Sequence, residues 1–397
     1  MNLPKTIAFA ILGIALGSPA AQAKTIKIGF IAPLSGPAAD MGQDLYRGLE
    51  LYLNTHQVSA GNIVQIIKRD STGPKADVAK RLALELVTQD KVDVLTGVVF
   101  SNNAIAILDV ANKARVPVML MNSATSSITT LSPYAARSSF TLWQSAYPFG
   151  EYAATKLNIK RIALIYANYA SGKDTARAFR TSFEKFGGEI VADIPFPFPD
   201  TADFTPFLQR VKDIKPDAVY AFAPGGKWGT SLLKTYNALG LRETGIRLLA
   251  TQDIVLDSEL NGIGDIAQGV ISLSHYSAAA DRPANKTFVA EFKKAYGPDA
   301  VPNFFTVGAW DGMDAIFYAI EKTGGDMSAD QVMAAWKTWR NENSPRGPIH
   351  IDPVTRDIVQ NEYIRETKKV GGQLMNIEIA TIPNVADPLK ALGLKEE

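Results

Sequence analysis

Two short turns carry the side chains best suited to chemistry in this sequence. Phe100-Ser101-Asn102-Asn103 follows one apolar run and opens a helical stretch, and Asn122-Ser123-Ala124-Thr125-Ser126 follows the next apolar run. In a parallel sheet such turns lie at the carboxyl ends of strands, where helix N-termini present unpaired N–H groups. Hydroxyls in that position, with no base beside them, suit the capture of a carboxylate by charge-assisted hydrogen bonds. The alternative is that Ser101 and Ser126 only cap their helices. Two such turns on adjacent strands favour binding.

Several enzymatic patterns nearly match and fail on context. Ser171-Gly172-Lys173 resembles a phosphate loop, but Ala167 stands where the earlier glycine is required and Asp174 replaces the magnesium-binding hydroxyl. The glycines of residues 262–267 fit a dinucleotide fingerprint with no strand before them. Ser182 with Lys185, and Lys322-Thr323-Gly324, match two penicillin-binding elements, yet the first falls inside a helix and no Ser-Asp-Asn stands between. His56, His275 and His350 share no metal-ligand spacing. Nucleophile, base and orienting group never occur together, so no catalytic residue, metal or cofactor is expected.

The elements that must position the turns alternate regularly. Strand, helix and strand patterns recur over residues 25–32, 41–53, 63–69, 77–88, 92–98, 104–113 and 116–121, a βαβ rhythm that implies a mostly parallel sheet with helices on both faces. The rhythm restarts at 161–166 and runs through 174–186, 189–194, 203–214, 217–222 and 228–238, with the proline-rich residues 195–200 as a surface connection. Helices at 285–296, 307–322 and 329–339 then follow without strands and must pack back on the first unit. Short β-type runs at 349–352 and 357–366 add to the second. That path crosses between units near residues 140–145, 272–276 and 346–351, which makes a hinge and not a tether. The expectation is two doubly wound, Rossmann-like α/β lobes joined by a three-crossover hinge: residues 24–145 with 277–345, and 146–276 with 346–397.

Composition narrows the function. The chain has 397 residues, with 41 Lys and Arg against 40 Asp and Glu, so its formal charge of +1 lacks the basic excess a nucleic-acid binder needs. Cysteine is absent, which excludes disulfides, thiolate metal sites and a cysteine nucleophile. Residues 1–23 combine Lys5, an apolar stretch at 7–16 and Ala21-Gln22-Ala23, the pattern of a cleaved export signal, and the apolar part is shorter than the roughly 20 residues of a membrane span. Without a cysteine at the cleavage point no lipid anchor is expected, and loss of Lys5 would leave a mature charge near zero. A soluble periplasmic protein is expected.

The segment KTIKIGFIAPLSGPAADMGQDLYRGLELYLN (residues 24–54) resembles the periplasmic leucine/isoleucine/valine-binding proteins, the type I solute-binding components of ABC importers. The similarity runs over nearly all of the mature chain, through Thr96-Gly97, the Ser123-Ala124-Thr125 turn and SPRGPIHIDPVTRDIV (residues 344–359). The resemblance implies two lobes hinged by three crossovers that close on a small solute and deliver it to membrane permeases, and a monomer fits a protein that must shuttle. By position, Phe100 and Ser101, with Asn102 beside them, match the family's first ligand-facing turn. Ser123, Ala124 and Thr125 match the second, which holds the ligand carboxylate. Asp253 falls near the acidic residue that pairs with a ligand ammonium. The chain departs from the family where tyrosines are usual: Ser171 stands at one position and Gly225, followed by Gly226, near the other, with Tyr169 close by.

The stretch Phe140-Thr141-Leu142-Trp143-Gln144, followed by Tyr147, reads as a hinge-side strand, and Trp143-Gln144 together with Asn168-Tyr169-Ala170-Ser171-Gly172 is similar to family members proposed to take aromatic acids. Trp143, Tyr147, Phe100 and Tyr169 would then line a slot for a ring; the other reading is that Trp143 and Tyr147 brace the hinge. The expected function is capture of a small carboxylate, of branched-chain amino acid or aromatic acid type, for an ABC importer. A ligand sensor for a membrane receptor and an exported hydrolase are the alternatives.

Overall fold

The computed structural model describes residues 24–56 and 61–394; the expected export signal lies outside the described residues. The first sheet consists of β1 (Thr25–Ala32), β2 (Ile63–Asp70), β3 (Val94–Gly97), β4 (Val118–Leu120) and β5 (Ala135–Arg137), all parallel in the order β2-β1-β3-β4-β5. Helices α1 (Ala39–Thr55), α2 (Ala76–Glu85) and α3 (Ser101–Ala114) connect its strands. β1 is buried along nearly its whole length, which is why it reads as a continuous apolar run and does not alternate.

After α4 (Leu142–Thr155) the second lobe repeats the scheme. β6 (Arg161–Ala167), α5 (Ala170–Lys185), β7 (Glu189–Phe196), α6 (Thr205–Ile214), β8 (Ala218–Phe222), α7 (Lys227–Ala238), β9 (Arg247–Thr251), α8 (Leu260–Ile263) and β10 (Ile271–Ser274) give a parallel sheet ordered β7-β6-β8-β9-β10.

The chain then returns to the first lobe as α9 (Pro283–Tyr296), α10 (Phe304–Thr323) and α11 (Ala329–Trp336). α10 is apolar on nearly all sides and buried, and it starts at a capping box in which the Asn303 side chain accepts from the N–H groups of Phe305 and Thr306. It lies directly on α1. A Cβ on Gly48 would stand 2.0 Å from the Thr306 carbonyl, so only glycine permits this backbone contact. The remaining strands, β11 (Arg340–Asn341), β12 (Ile349–Ile351), β13 (Ile358–Val370) and β14 (Gln373–Val385), extend the second sheet, β13 running antiparallel to β10, β12 and β14; α12 (Pro388–Ala391) follows.

The three passages between lobes meet in a buried knot. Arg346, on the third, is fully buried and donates to Ser139 O and Asp311 Oδ2 at 2.7 Å each and also to Ser138 O and the Gln360 side chain. His275, on the second passage, stacks on Phe140 of the first with ring centroids 5.0 Å apart.

Four expectations about local structure need correction. Residues 140–144 do not form a hinge-side strand: Thr141 caps α4, accepting from Gln144 N while the Gln144 side chain accepts from Thr141 N. The proline-rich connection is only partly at the surface, because Pro195 and Phe196 finish β7 and Phe196 is fully buried. α3 begins at Ser101 and not at Ala104, which moves the first hydroxyl turn into the helix itself. The β-type run at 357–366 is the beginning of a 13-residue strand paired with an equally long β14.

Candidate ligand-binding cleft

The carboxyl ends of the two parallel sheets face each other, and contacts between them frame a space. At one edge Ser171, in the first turn of α5, donates its hydroxyl to Ser101 Oγ at 3.0 Å, and Thr125 Oγ1 lies 3.5 Å from Ser171 Oγ. Thr125 N–H also donates to Ser101 Oγ at 3.2 Å. Ser101 Oγ therefore accepts twice, once from each lobe. Neither helix is capped by these hydroxyls: Phe100 is the N-cap of α3, Thr125 that of the short helix over Ser126–Leu131, and neither makes a side-chain capping bond. The simple capping explanation is thereby set aside.

Beside this cluster the Ser126 N–H donates to Asp174 Oδ2 at 2.9 Å, while the Trp143 indole donates to Asp174 Oδ1 at 2.6 Å. Burial raises the pKa of Asp174, and these two bonds pull it back. At the opposite edge Asn303 donates to Asp44 Oδ2 at 2.6 Å and to Ser258 Oγ at 2.8 Å, again joining first lobe to second. Met41 of α1 reaches Gly226, whose φ of +70° favours glycine, with its methyl 3.8 Å from where a Cβ would stand.

Rings from both lobes line the space between these edges. Phe198 stacks on Tyr169 at 4.8 Å and meets Trp228 at 5.1 Å edge-on; Phe100 of the first lobe approaches Phe198 at 6.1 Å, and Phe222 approaches Tyr169 at 6.1 Å. Tyr169 and Asp253 sit deep in the molecule yet keep some accessible surface. Burial pushes the Asp253 carboxyl up to about 7, and a bond from Thr251 and the charge of Arg365 offset that only in part. Burial also raises the Tyr169 phenol, which bonds with Ser171 and feels the Asp253 charge.

The structure thus gathers Phe100, Ser101, Ala124, Thr125, Tyr169, Ser171, Gly225, Gly226 and Asp253 around the inter-lobe space; Gly225 packs against Leu256 and the Asp253 carbonyl. Ser123 lies in the same turn, but its hydroxyl is committed to Val98 O at 2.8 Å. Four expected residues lie elsewhere. Asn102 turns to Pro74 O. Gln144 donates to the Ile358 and Val385 carbonyls at 2.8 and 2.7 Å, which makes it a brace for the hinge strands. Trp143 packs with Phe149, Leu164 and Phe179 in the second lobe's separate core, and Tyr147 stacks on it at 6.1 Å and takes a bond from Lys185 at the surface. They move out of the ring slot because α4 replaces the expected strand and turns these side chains toward α5.

Phe198, Phe222, Trp228 and Met41 are cleft residues that the sequence reading passed over. A signal for Phe198 existed in the alternation of Pro195 to Pro199, where aromatic rings occupy every second position. Among the described residues no group of three or more His, Asp or Glu side chains is placed to hold a metal ion, and no helix is long and apolar enough to cross a membrane.

A family model described as periplasmic binding protein matches residues 25–372. The Leu/Ile/Val-binding protein homolog 6 of Brucella melitensis is 40% identical over 400 residues, spanning 99% of this chain and 100% of that protein. The solute-binding protein of an ABC transporter from Rhodopseudomonas palustris BisB5, solved in complex with 3,4-dihydroxy benzoic acid, matches with a TM-score of 0.88 and 43% identity over 92% of this chain and 99% of the other. A second solute-binding protein from R. palustris, in complex with 4-hydroxybenzoate, matches with a TM-score of 0.88 and 37% identity over 93% and 99%. With one family model spanning both lobes and relatives matching almost end to end, this chain belongs to the periplasmic binding protein family, in its two-lobed type I form.

Proposed function

We propose that the protein captures a small aromatic carboxylate of the hydroxybenzoate kind in the periplasm and delivers it, as a soluble monomer, to the permease subunits of an ABC importer. The observation that carries this reading is the hydroxyl cluster of Ser101, Thr125 and Ser171 at one edge of a space walled by Phe100, Tyr169, Phe198 and Phe222. The two solved relatives, which hold such acids, support it.

In the open protein the carboxylate would meet Ser101 and Thr125 on the first lobe. Closure would add Ser171, Tyr169, Gly225, Gly226 and Asp253 from the second and enclose the ring. A ligand closes a hinge only through differential affinity: turning a 1:99 population into 99:1 takes about 5.5 kcal/mol. Hydrogen bonds to a charged group at roughly 1.5–3 kcal/mol each, with burial of the ring, supply that order.

A branched-chain amino acid is the second reading, favoured by Asp253, an acid in place to meet an ammonium, and by the name of the Brucella relative. Calorimetric titration of the purified protein with 4-hydroxybenzoate and with leucine separates them. Saturable heat with the aromatic acid alone is the expected result; saturable heat with leucine alone overturns the proposal.

A further inference from the structure

The C-terminal helix α12 reaches from the second lobe to the segment that carries Thr125. Leu389 anchors it, buried in the second lobe's core with Trp143 and Phe149. The next residue, Lys390, turns out of that core and donates from Nζ to Thr129 Oγ1 at 2.6 Å and to Asp357 Oδ2 at 2.5 Å. Thr129 belongs to the first lobe, in the short helix whose N-cap is Thr125, and Asp357 directly precedes β13 after the third passage between lobes. The Lys390 side chain is only 13% exposed, so its ammonium has given up most of its water for these two partners.

From Asp357 the contacts continue to the ligand-facing turn. Its Oδ1 stands 3.0 Å from Arg137 Nε, and both side chains are buried. Arg137, the last residue of β5, donates to Thr125 O at 2.8 Å and to Phe140 O at 3.1 Å. The backbone of Thr125 is thus held at its carbonyl by Arg137 and at its N–H by Ser101. Lys390, Asp357, Arg137 and Thr125 form an unbroken chain of polar contacts from the C-terminal helix to the hydroxyl cluster. Ion pairs at this depth add little stability over apolar packing, because the lost hydration offsets their attraction. What the chain does supply is a fixed place for the turn.

Resting on the reading of Ser101 and Thr125 as the carboxylate grip, we propose that Lys390 is a positioning residue for that grip. Through Asp357 and Arg137 it holds the Thr125 turn where a planar carboxylate can bond, and so sets how strongly the cleft prefers an acid to its uncharged counterpart. Lys390 itself does not touch the ligand. Its loss would loosen the turn and spare contacts to the ring.

The test is competition calorimetry with 4-hydroxybenzoate and its uncharged amide, 4-hydroxybenzamide, with thermal melting to verify each fold. The intact protein is expected to prefer the acid by about tenfold or more, the worth of a hydrogen bond to a charged group. In Lys390→Met that preference should shrink to about threefold or less with amide affinity little changed, and Lys390→Arg should restore it. Thr129→Val removes a partner of Lys390 without removing a charge, so it should shift the preference the same way, and it also serves should the methionine variant fail to fold. If folded variants keep the preference, or lose acid and amide alike, α12 only joins the lobes and the assignment is overturned, while the cleft reading stands. A shift in Lys390→Met that Thr129→Val does not share would mean that charge alone acts, which also overturns positioning. If the intact protein binds neither compound, or both alike, the carboxylate reading fails and takes this assignment with it.

Discussion

Ser171 donates to Ser101 across 3.0 Å although 70 residues and two lobes separate them. Each hydroxyl sits in the first turn of a helix that follows a parallel strand, one from each sheet, so the bond exists only when the strand ends face each other. Under the closure proposed above, it would be made in the closed form of the cleft and lost in the open one.

Asp174 should act as a latch on that closed form. Its carboxylate takes the Ser126 N–H from the opposite lobe and is held by the Trp143 indole. Asp174→Asn replaces one acceptor oxygen with a donor, so the side chain can accept from only one of the Ser126 N–H and the Trp143 indole. Ligand affinity should fall about tenfold, the worth of a hydrogen bond to a charged group, through faster dissociation with an association rate nearly unchanged. Stopped-flow tryptophan fluorescence would follow it; equal losses in both rates would count against a latch.

Asp253 gives the pH dependence a sign. Its carboxyl is pushed up to about 7 by burial, so it is neutral below that pH and charged above it. An enclosed carboxylate ligand is repelled by the charged form, so its affinity should decline as pH rises through 7, by up to about tenfold per unit for one linked proton. A ligand bearing an ammonium would show the opposite slope. Glu259 also titrates near 7 at the cleft's outer edge, so Asp253→Asn is the control, and it should flatten the profile. A slope that survives in Asp253→Asn contradicts this assignment.

Arg346 secures the hinge. Arg346→Leu leaves Asp311 buried without its counter-charge, a loss of about 3–5 kcal/mol in unfolding free energy. Asp311 is already raised to about 6 by burial, and without Arg346 it rises further. A carboxyl whose folded pKa exceeds its unfolded value loses stability as pH rises, so the penalty should be larger at pH 8 than at pH 5. Urea melts at both pH values measure it; a penalty independent of pH would place the damage elsewhere.

The hydroxyl turns at Ser101 and Thr125 were legible in the sequence because the βαβ rhythm alone puts such turns at strand ends. The meeting of Ser171 with Ser101 was not, since it depends on how far two lobes rotate about a hinge. Trp143, Gln144 and Tyr147 were misplaced by one local error: residues 140–144 are apolar enough for a strand, yet Thr141 and Gln144 have the spacing of a capping box, and that bond starts α4. Phe198 was hidden by its proline-rich neighbours, which read as surface.

Titration of 4-hydroxybenzoate into the Ser101→Ala/Thr125→Ala double variant probes the core of this account, with thermal melting alongside to verify the fold. The variant should melt within a few degrees of the unaltered protein and bind at least about tenfold more weakly, having lost two hydroxyls that face the carboxylate. Equal affinities in a folded variant would mean that the carboxylate is held somewhere else.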